Sequence, residues 1–251
     1  MLLVRAGHSP ADDRNEYMGP QRCRGLDSTG HQQTRLLGDR LAHEQLIPAA
    51  IYHTDVARAE DTANIVSARL GRPPTTPALR CRNYGAADGA LVDDVLAAFD
   101  PPLEQTPDRP LAPGADSWTT LTATVGRELG DILGRHVGDT VLVVCDEDTI
   151  SASFQLYYGD SPSIAQTRRT ANTGITEWML TPHSDSKPGL QRWQGTVLRH
   201  NSLAHLPNSL VTPRSHRLAE SPTPTTRGRA AHRETRPLGT LSSHSFRDAA
   251  D

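Results

Sequence analysis

Residues 2–10 read LLVRAGHSP, and this stretch establishes the kind of fold because a short apolar run ends abruptly at a charged residue and a glycine. Such a run predicts a buried β-strand that delivers Arg5 to a turn at Gly7. In open α/β sheets, functional side chains lie just past the carboxyl ends of the strands. Ala6 stands at the centre of this strand end, yet its methyl group can carry out no catalytic chemistry.

Helical and extended patterns alternate after this strand. Apolar residues recur at helical spacing in residues 30–41, in residues 57–70 and after Ser117, where Asp116 or Ser117 is the expected N-cap. Apolar runs typical of strands are IYHTD, GDTVLVVCDED, TGITEWML and RWQGTVLRH. The alternation predicts an α/β fold, a three-layer αβα sandwich around a mostly parallel central sheet. The strand ends VRAG, YHTD and VCDED should meet at one edge of that sheet.

Length and cysteine content favour a soluble protein of a reducing compartment. The 251 residues suffice for a large α/β domain, and no apolar stretch approaches the ~20 residues of a membrane helix. The residues before Arg5 are too few for a signal peptide. Three cysteines without CxxC spacing argue against a disulfide framework and a zinc site. We therefore expect a cytoplasmic protein with no membrane contact, no metal and no cofactor.

Charge and composition divide the chain near residue 207. Seven arginines and four acidic residues follow this point, so the end of the chain carries +3 although the whole chain carries −3. Residues 207–251 are rich in Pro, Ser, Thr and Arg, which predicts a disordered tail after a domain of residues 1–206. A basic interaction arm is an alternative for this tail. Lys187 is the sole lysine, and codon bias explains this preference for arginine more simply than nucleic-acid binding does.

Eight blocks resemble the histidine phosphatase superfamily, the phosphoglycerate mutase-like group, in order and spacing. They span roughly residues 1–206 and look closest to the small bacterial phosphatases: LLVRAGHS, LDSTGHQQTRLLGDRL, IYHTDVARAEDTANIVSARLG, LRCRNYGAADG, PGADSW, VLVVCDEDTISASF, NTGITEW and LRHNSLAHL. The resemblance implies a phosphoglycerate mutase-like fold and a phosphohistidine mechanism. That mechanism needs a nucleophilic histidine after an arginine, a second arginine on the phosphate, a carboxylic acid for the leaving oxygen and a second histidine.

Three of these five positions have lost the residue that the chemistry needs. By the resemblance, Arg5 and Arg58 match the two arginines and are the vestigial phosphate-binding residues. Ala6 stands in place of the nucleophile. Cys81 stands in place of the general acid, and Asp146 in place of the second histidine. No catalytic position of the family is therefore intact, since a methyl group cannot attack phosphorus.

Asp146 also changes the charge of the expected pocket. Two unit charges ~4 Å apart repel by about 4 kcal/mol at an effective dielectric constant of ~20. Glu147 and Asp148, at positions where the family has glycines, add to the negative charge. The simplest outcome is that Asp146 pairs with Arg5 or Arg58 and fills the vacated site, because a buried arginine needs a counter-charge.

Four other interpretations stay open. His8 or His53 could act as a shifted nucleophile, and Cys81 beside two arginines could form a reactive thiolate. The acids of residues 146–148 could hold Mg²⁺ or Ca²⁺, although three consecutive acids seldom chelate as a unit. In each case a structural role is the simpler interpretation: a hydrogen-bonded histidine, a core cysteine or a solvated acidic turn.

The sequence thus predicts a histidine phosphatase fold that has lost phosphatase activity, a pseudophosphatase with a binding or regulatory role. Its partner would be a small anionic ligand or a protein. The alternative is an enzyme, either a residual phosphomonoester hydrolase or a scaffold repurposed for other chemistry in a biosynthetic pathway.

Overall fold

The computed structural model describes residues 1–73, 78–182 and 193–212, which form a five-stranded sheet flanked by helices. The strands are β1 (Leu2–Arg5), β2 (Ala50–His53), β3 (Val141–Cys145), β4 (Ile175–Pro182) and β5 (Trp193–Ser202). The helices are α1 (Pro10–Arg14), α2 (Ser28–His43), α3 (Ala57–Leu70), α4 (Val92–Ala97), α5 (Trp118–Arg135), α6 (Glu147–Tyr157) and α7 (Pro162–Thr167).

The sheet is mixed, with the strand order β2-β3-β1-β4-β5. Strand β3 is parallel to β2 and β1, whereas β4 is antiparallel to β1 and to β5. The prediction of a mostly parallel sheet is therefore not exact: β1, β2, β3 and β5 run in one direction, and β4 runs in the other. Only residues 183–192 separate β4 from β5, which is too short for the crossover of a dozen or more residues that parallel strands require.

Alternate residues of the strands face two separate cores. Leu3 and Val143 pack with apolar residues of α5 and α6 on one face of the sheet. Leu2 and Leu142 pack with α2 and α3 on the other. Because the inner strands are buried on both faces, their sequences are continuous apolar runs. The predicted three-layer αβα arrangement is confirmed.

Helix boundaries follow the capping residues. The Asp27 carboxylate accepts a hydrogen bond from the Gly30 N–H, so α2 begins at Ser28, two residues before the apolar pattern predicted. Ser117 caps α5 by accepting a hydrogen bond from the Thr120 N–H. The prediction of a helix over residues 57–70 is confirmed without change.

Parallel register aligns the three strand ends that the sequence singled out. Arg5 lies opposite Cys145, and the Ala6 N–H donates to the Cys145 carbonyl over 2.9 Å. On the other side of β3, the Thr54 N–H donates to the Val144 carbonyl over 3.0 Å. The residues after β1, β2 and β3 consequently meet at one edge, and α3 starts beside them.

The last described residues remain in contact with the domain. The Gln33 side-chain amide donates to the Leu210 carbonyl over 2.8 Å, and the Thr212 hydroxyl donates to the Asn172 amide oxygen over 2.8 Å. The predicted disordered tail otherwise lies outside the described residues. None of the described helices combines the length and apolarity needed to span a membrane.

Candidate functional site

A cleft lies at the sheet edge where β1 and β3 end. Its volume of about 130 Å³ is below the ~300–1,000 Å³ of typical ligand pockets, so it suits a small ligand. Four arginines and six carboxylates line it: Arg5, Arg58, Arg82, Arg169, Asp12, Glu16, Glu104, Asp146, Glu147 and Asp148. The charge of the lining is therefore negative overall.

Arg58 and Asp146 form a buried ion pair in this cleft. The Arg58 Nε and Nη2 atoms lie 2.8 and 2.6 Å from Asp146 Oδ1, and the two residues are only 9% and 8% exposed. Burial alone would lower the pKa of Arg58, but the Asp146 carboxylate raises it well above its ordinary value. The guanidinium therefore carries its positive charge, and the Asp146 carboxylate balances it. The prediction that Asp146 pairs with one of the two arginines is confirmed for Arg58.

The position of Asp146 explains why its carboxylate is available for this pair. Asp146 is the N-cap of α6, but its side chain makes no capping hydrogen bond. An aspartate at this position ordinarily accepts a hydrogen bond from the first turn of the helix. Here the carboxylate turns to Arg58 instead, so its charge lies in the cleft.

Arg5 is held by two carboxylates and a backbone carbonyl. Its Nη2 donates to Asp12 Oδ1 over 2.7 Å, its Nη1 donates to the Thr170 carbonyl over 2.6 Å, and Nη1 lies 3.8 Å from Glu147 Oε2. Burial alone would raise the pKa of Asp12, but Arg5 and the Ser9 hydroxyl hold it below its ordinary value. Asp12 is therefore ionised, and Arg5 is neutralised without a ligand.

Arg82 is the third arginine of the cleft that is paired with a carboxylate. Its Nη1 lies 3.2 Å from Asp148 Oδ2, and its Nη2 donates to the Asp116 carbonyl over 3.3 Å. The three consecutive acids of residues 146–148 therefore contact three different arginines. This divergence gives no support to the hypothesis that the same acids chelate one metal ion.

The two remaining replaced positions offer no catalytic group. Ala6 is 1% exposed, and its methyl group packs in the core between the sheet and α2 while also lining the cleft. Cys81 is 3% exposed and is not among the described residues that line the cleft. Burial raises the pKa of its thiol well above the ordinary value, and the nearby Asp146 raises it further. Burial and the neighbouring charge thus favour the protonated thiol, and the structure gives no support to the hypothesis of a reactive Cys81 thiolate.

Neither candidate histidine faces the cleft. His8 Nδ1 lies 2.6 Å from Asp27 Oδ2, and its Nε2 lies 3.4 Å from Asp13 Oδ1. His53 Nδ1 lies 2.9 Å from the Thr54 carbonyl oxygen. Both residues are buried and hydrogen-bonded, and neither is among the described residues that line the cleft. A shifted nucleophile has no geometric support.

A cluster of possible metal ligands forms around His8. Its ring and the carboxylates of Asp13 and Asp27 place ligand atoms within 4.8 Å of one another, and no other such group occurs among the residues that the structure describes. Asp13 is largely exposed and the His8 ring is already bonded to Asp27. The cluster is explained as a hydrogen-bonded link between β1 and α2.

Several cleft residues were missed by sequence reasoning. Asp12 carried a signal, since it completes a capping box with Ser9 at the start of α1. The sequence signal for Arg82 was weaker, because it rests only on its position beside Cys81 in a retained family block. Arg169 and Glu104 lie outside regular helices and strands and share no motif, so only tertiary folding brings them to the cleft.

Comparison with known proteins identifies the family of this αβα fold. The family model of the histidine phosphatase superfamily (branch 1) matches residues 1–194. The chain therefore belongs to the histidine phosphatase superfamily.

Two curated relatives illustrate its place there. Phosphoglycerate mutase-like protein 4 of Arabidopsis thaliana is 27% identical over 186 residues, which cover 72% of this chain and 79% of that protein. The 2,3-bisphosphoglycerate-dependent phosphoglycerate mutase of Clavibacter sepedonicus is 26% identical over 198 residues, with coverage of 74% and 72%.

Two solved structures share the fold. A histidine-to-alanine variant of phosphoserine phosphatase from Entamoeba histolytica, in complex with phosphoserine, matches with a TM-score of 0.66 and 18% identity, covering 82% of this chain and 98% of that one. Mycobacterial glucosyl-3-phosphoglycerate phosphatase in complex with VO₃ matches with a TM-score of 0.67 and 18% identity, covering 80% and 98%.

Proposed function

We propose that this chain is a non-catalytic member of the superfamily, a pseudophosphatase that binds a ligand at its cleft without phosphoryl transfer. The ion pair of Arg58 with Asp146 carries the proposal. By the family resemblance Arg58 would bind phosphate, yet a carboxylate oxygen 2.6 Å away already neutralises it.

The chemistry of the replaced positions supports the same conclusion. Phosphohistidine formation needs a nucleophile in line with phosphorus and an acid to protonate the leaving oxygen. Ala6 provides no nucleophile. Cys81 provides no acid at the substrate, because its thiol is buried outside the cleft lining.

Electrostatic repulsion also opposes phosphate binding in the cleft. An oxyanion at Arg58 would lie against Asp146, and like charges ~4 Å apart repel by about 4 kcal/mol. Displacing Asp146 would leave a carboxylate buried without a partner. The acids that follow it occupy Arg5 and Arg82 in the same way, so the protein supplies its own anions where a phosphate would otherwise bind.

A binding role is compatible with the fold. The structure of the Entamoeba histolytica variant holds phosphoserine although a histidine has been replaced by alanine, so a chain of this fold can hold a ligand after such a loss. In this chain all three cysteines are free and buried. Free thiols fit a reducing compartment, and this supports the proposal of a cytoplasmic location.

Hydrolysis assays test the proposal directly. The purified full-length chain should release no phosphate from p-nitrophenyl phosphate, phosphoserine or 3-phosphoglycerate. Turnover that disappears in a His8→Ala variant would contradict the proposal and identify an unexpected nucleophile.

Restoration of the family residues is the complementary test. Ala6→His alone should remain inactive, because Asp146 still repels phosphate and no acid is present. Combining Ala6→His with Cys81→Glu, Asp146→His, Glu147→Gly and Asp148→Gly should recover measurable hydrolysis. Robust hydrolysis by the single Ala6→His variant would show that the electrostatic argument is wrong.

A further inference from the structure

Two charged side chains in the cleft lack a counter-ion within the described part of the chain. No carboxylate oxygen lies within 4.0 Å of the Arg169 guanidinium, and no cationic nitrogen lies within that distance of the Glu104 carboxylate. The Arg169 Nε atom is buried and has no hydrogen-bond partner among the residues that the structure describes. The other three arginines of the cleft each have a carboxylate, so Arg169 and Glu104 are the free charges of the lining.

These two charges lie in the same part of the cleft. Glu104 belongs to the short 3₁₀ turn Leu103–Gln105, which packs against α7, and Arg169 follows α7 by two residues. Both act on Tyr17: burial and Asp148 raise the pKa of this phenol, Arg169 lowers it and Glu104 raises it. Two opposite charges therefore act on one tyrosine and form no ion pair with each other.

An apolar wall adjoins the two charges. The rings of Tyr17 and Tyr84 lie 4.9 Å apart, centre to centre. Val92, Leu96 and Leu103 line the same cleft. A ligand can therefore bury an apolar group beside the two free charges.

We propose that the cleft binds a small zwitterion with an apolar body, whose cationic group pairs with Glu104 and whose anionic group pairs with Arg169. A ligand of single charge would leave one of the two side chains unpaired, and a neutral ligand would leave both unpaired. A zwitterion neutralises both through charge-assisted hydrogen bonds, which are the stronger kind. This inference rests on the proposed function in that the cleft is used for binding.

Titration calorimetry on the full-length chain tests the ligand class. The zwitterionic probes are L-leucine, L-phenylalanine and glycyl-L-leucine, which differ in apolar body and charge separation. The single-charge probes are 4-methylpentanoate and isoamylamine. At least one zwitterion should bind, and each single-charge probe should bind at least about tenfold more weakly, because it leaves one of the two cleft charges without a charge-assisted hydrogen bond.

Substitutions assign each charge to its partner. Arg169→Gln should weaken zwitterion and 4-methylpentanoate binding about tenfold and leave isoamylamine binding unchanged. Glu104→Gln should weaken zwitterion and isoamylamine binding about tenfold and leave 4-methylpentanoate binding unchanged. A general structural defect would weaken all probes together. Arg127→Gln and Asp131→Asn, at exposed positions of α5, are the matched controls and should bind like the unaltered chain.

The inference is overturned if none of the three zwitterions binds, or if a single-charge probe binds as tightly as the best zwitterion. It is also overturned if both cleft variants bind like the controls. Turnover of phosphoesters would refute the proposed function and leave this result standing. Absence of zwitterion binding with no turnover would refute the ligand class alone.

Discussion

A buried guanidinium needs a counter-charge whether or not a ligand is present, and in this cleft the chain provides one for Arg58. The partner, Asp146, belongs to α6, 88 residues further along the chain. Such pairs do not strongly stabilise a fold compared with apolar packing, but removal of one partner leaves the other buried and unpaired. Asp146 therefore supplies the counter-charge that Arg58 needs when no ligand is present.

Asp146→Ala should lower the free energy of unfolding by about 3–5 kcal/mol, because Arg58 loses its carboxylate inside the protein. Loss of a helix cap does not complicate this value, since Asp146 makes no capping hydrogen bond. Urea denaturation measures it. Inorganic phosphate should then stabilise the variant more than the unaltered chain, since an oxyanion can now reach Arg58.

Asp131→Ala is the control for that experiment, because Asp131 is exposed on α5. Its free energy of unfolding should stay within about 0.5 kcal/mol of the unaltered chain. If Asp146→Ala were equally neutral and insensitive to phosphate, the importance given to this ion pair would be mistaken.

Helix α2 packs its first turn onto the backbone that follows β1. A Cβ atom at Gly30 would collide with the His8 carbonyl oxygen and crowd the His8 nitrogen. The absence of a side chain at Gly30 therefore sets how closely α2 approaches the strand that carries Arg5.

Gly30→Ala should lower the free energy of unfolding by about 1–3 kcal/mol, the usual cost of forcing an extra methyl group into a packed interior. Gly130→Ala, on α5, is the matched control, because a Cβ there meets nothing within 4 Å. Alanine is the better helix former, so Gly130→Ala should stabilise the protein by about 0.5–1 kcal/mol. Thermal and urea denaturation would disprove the packing argument if both substitutions shifted stability in the same direction.

The segment after β5 is tied to α2 through a histidine that stays neutral. His205 Nε2 lies 3.0 Å from the Thr173 hydroxyl, and Nδ1 lies 3.4 Å from Arg40 Nη1. Burial and, to a smaller extent, the charge of Arg40 together lower the pKa of His205 to about 4, although Glu44 opposes this shift. These contacts give His205 of the LRHNSLAHL block a structural role.

Stability should therefore fall on mild acidification. The unfolded chain takes up a proton at His205 near pH 6.5, whereas the folded chain does so only near pH 4. The contribution of His205 is complete above pH 6.5 and is lost as the pH falls toward 4. Urea denaturation at a series of pH values should show this slope, and His205→Gln should reduce it; an unchanged slope in the variant would contradict the assignment.

The cleft is assembled from segments that are distant along the chain. Arg5 ends β1 and pairs with Asp12 of α1, whereas Arg58 of α3 pairs with Asp146, the N-cap of α6. Residues 207–212 join this assembly, because Thr212 bonds to Asn172, which donates in turn to the Ala6 carbonyl. These hydrogen bonds predict that the stability of the domain is coupled to residues near the end of the described chain.

Two shortened chains test that coupling. A chain ending at residue 207 loses the hydrogen bonds of Gln33 to Leu210 and of Thr212 to Asn172, whereas a chain ending at residue 212 keeps both. At about 0.5–1.5 kcal/mol for each hydrogen bond, the shorter chain should be less stable by about 1–3 kcal/mol in urea. Equal stabilities would mean that residues 208–212 add nothing to the domain.

Local pattern was sufficient for much of this protein. Strand β1, helices α3 and α5 and the convergence of three strand ends could be read from apolar periodicity and capping residues. The absence of a nucleophile at Ala6 could be read as well. These features depend on residues that are close together along the chain or on a family motif, so the sequence alone is sufficient to predict them.

Long-range geometry accounts for what the pattern left open. Three features could be seen only in the folded chain: the direction of β4, the pairing of Asp146 with Arg58, and the location of Glu104 and Arg169 in one cleft. The sequence shows which residues are charged but not which of them form ion pairs, because pairing depends on which side chains packing brings within a few ångströms. Folding brings residues from distant segments to that distance, and it leaves Arg169 and Glu104 without an ion-pair partner among the described residues of the cleft.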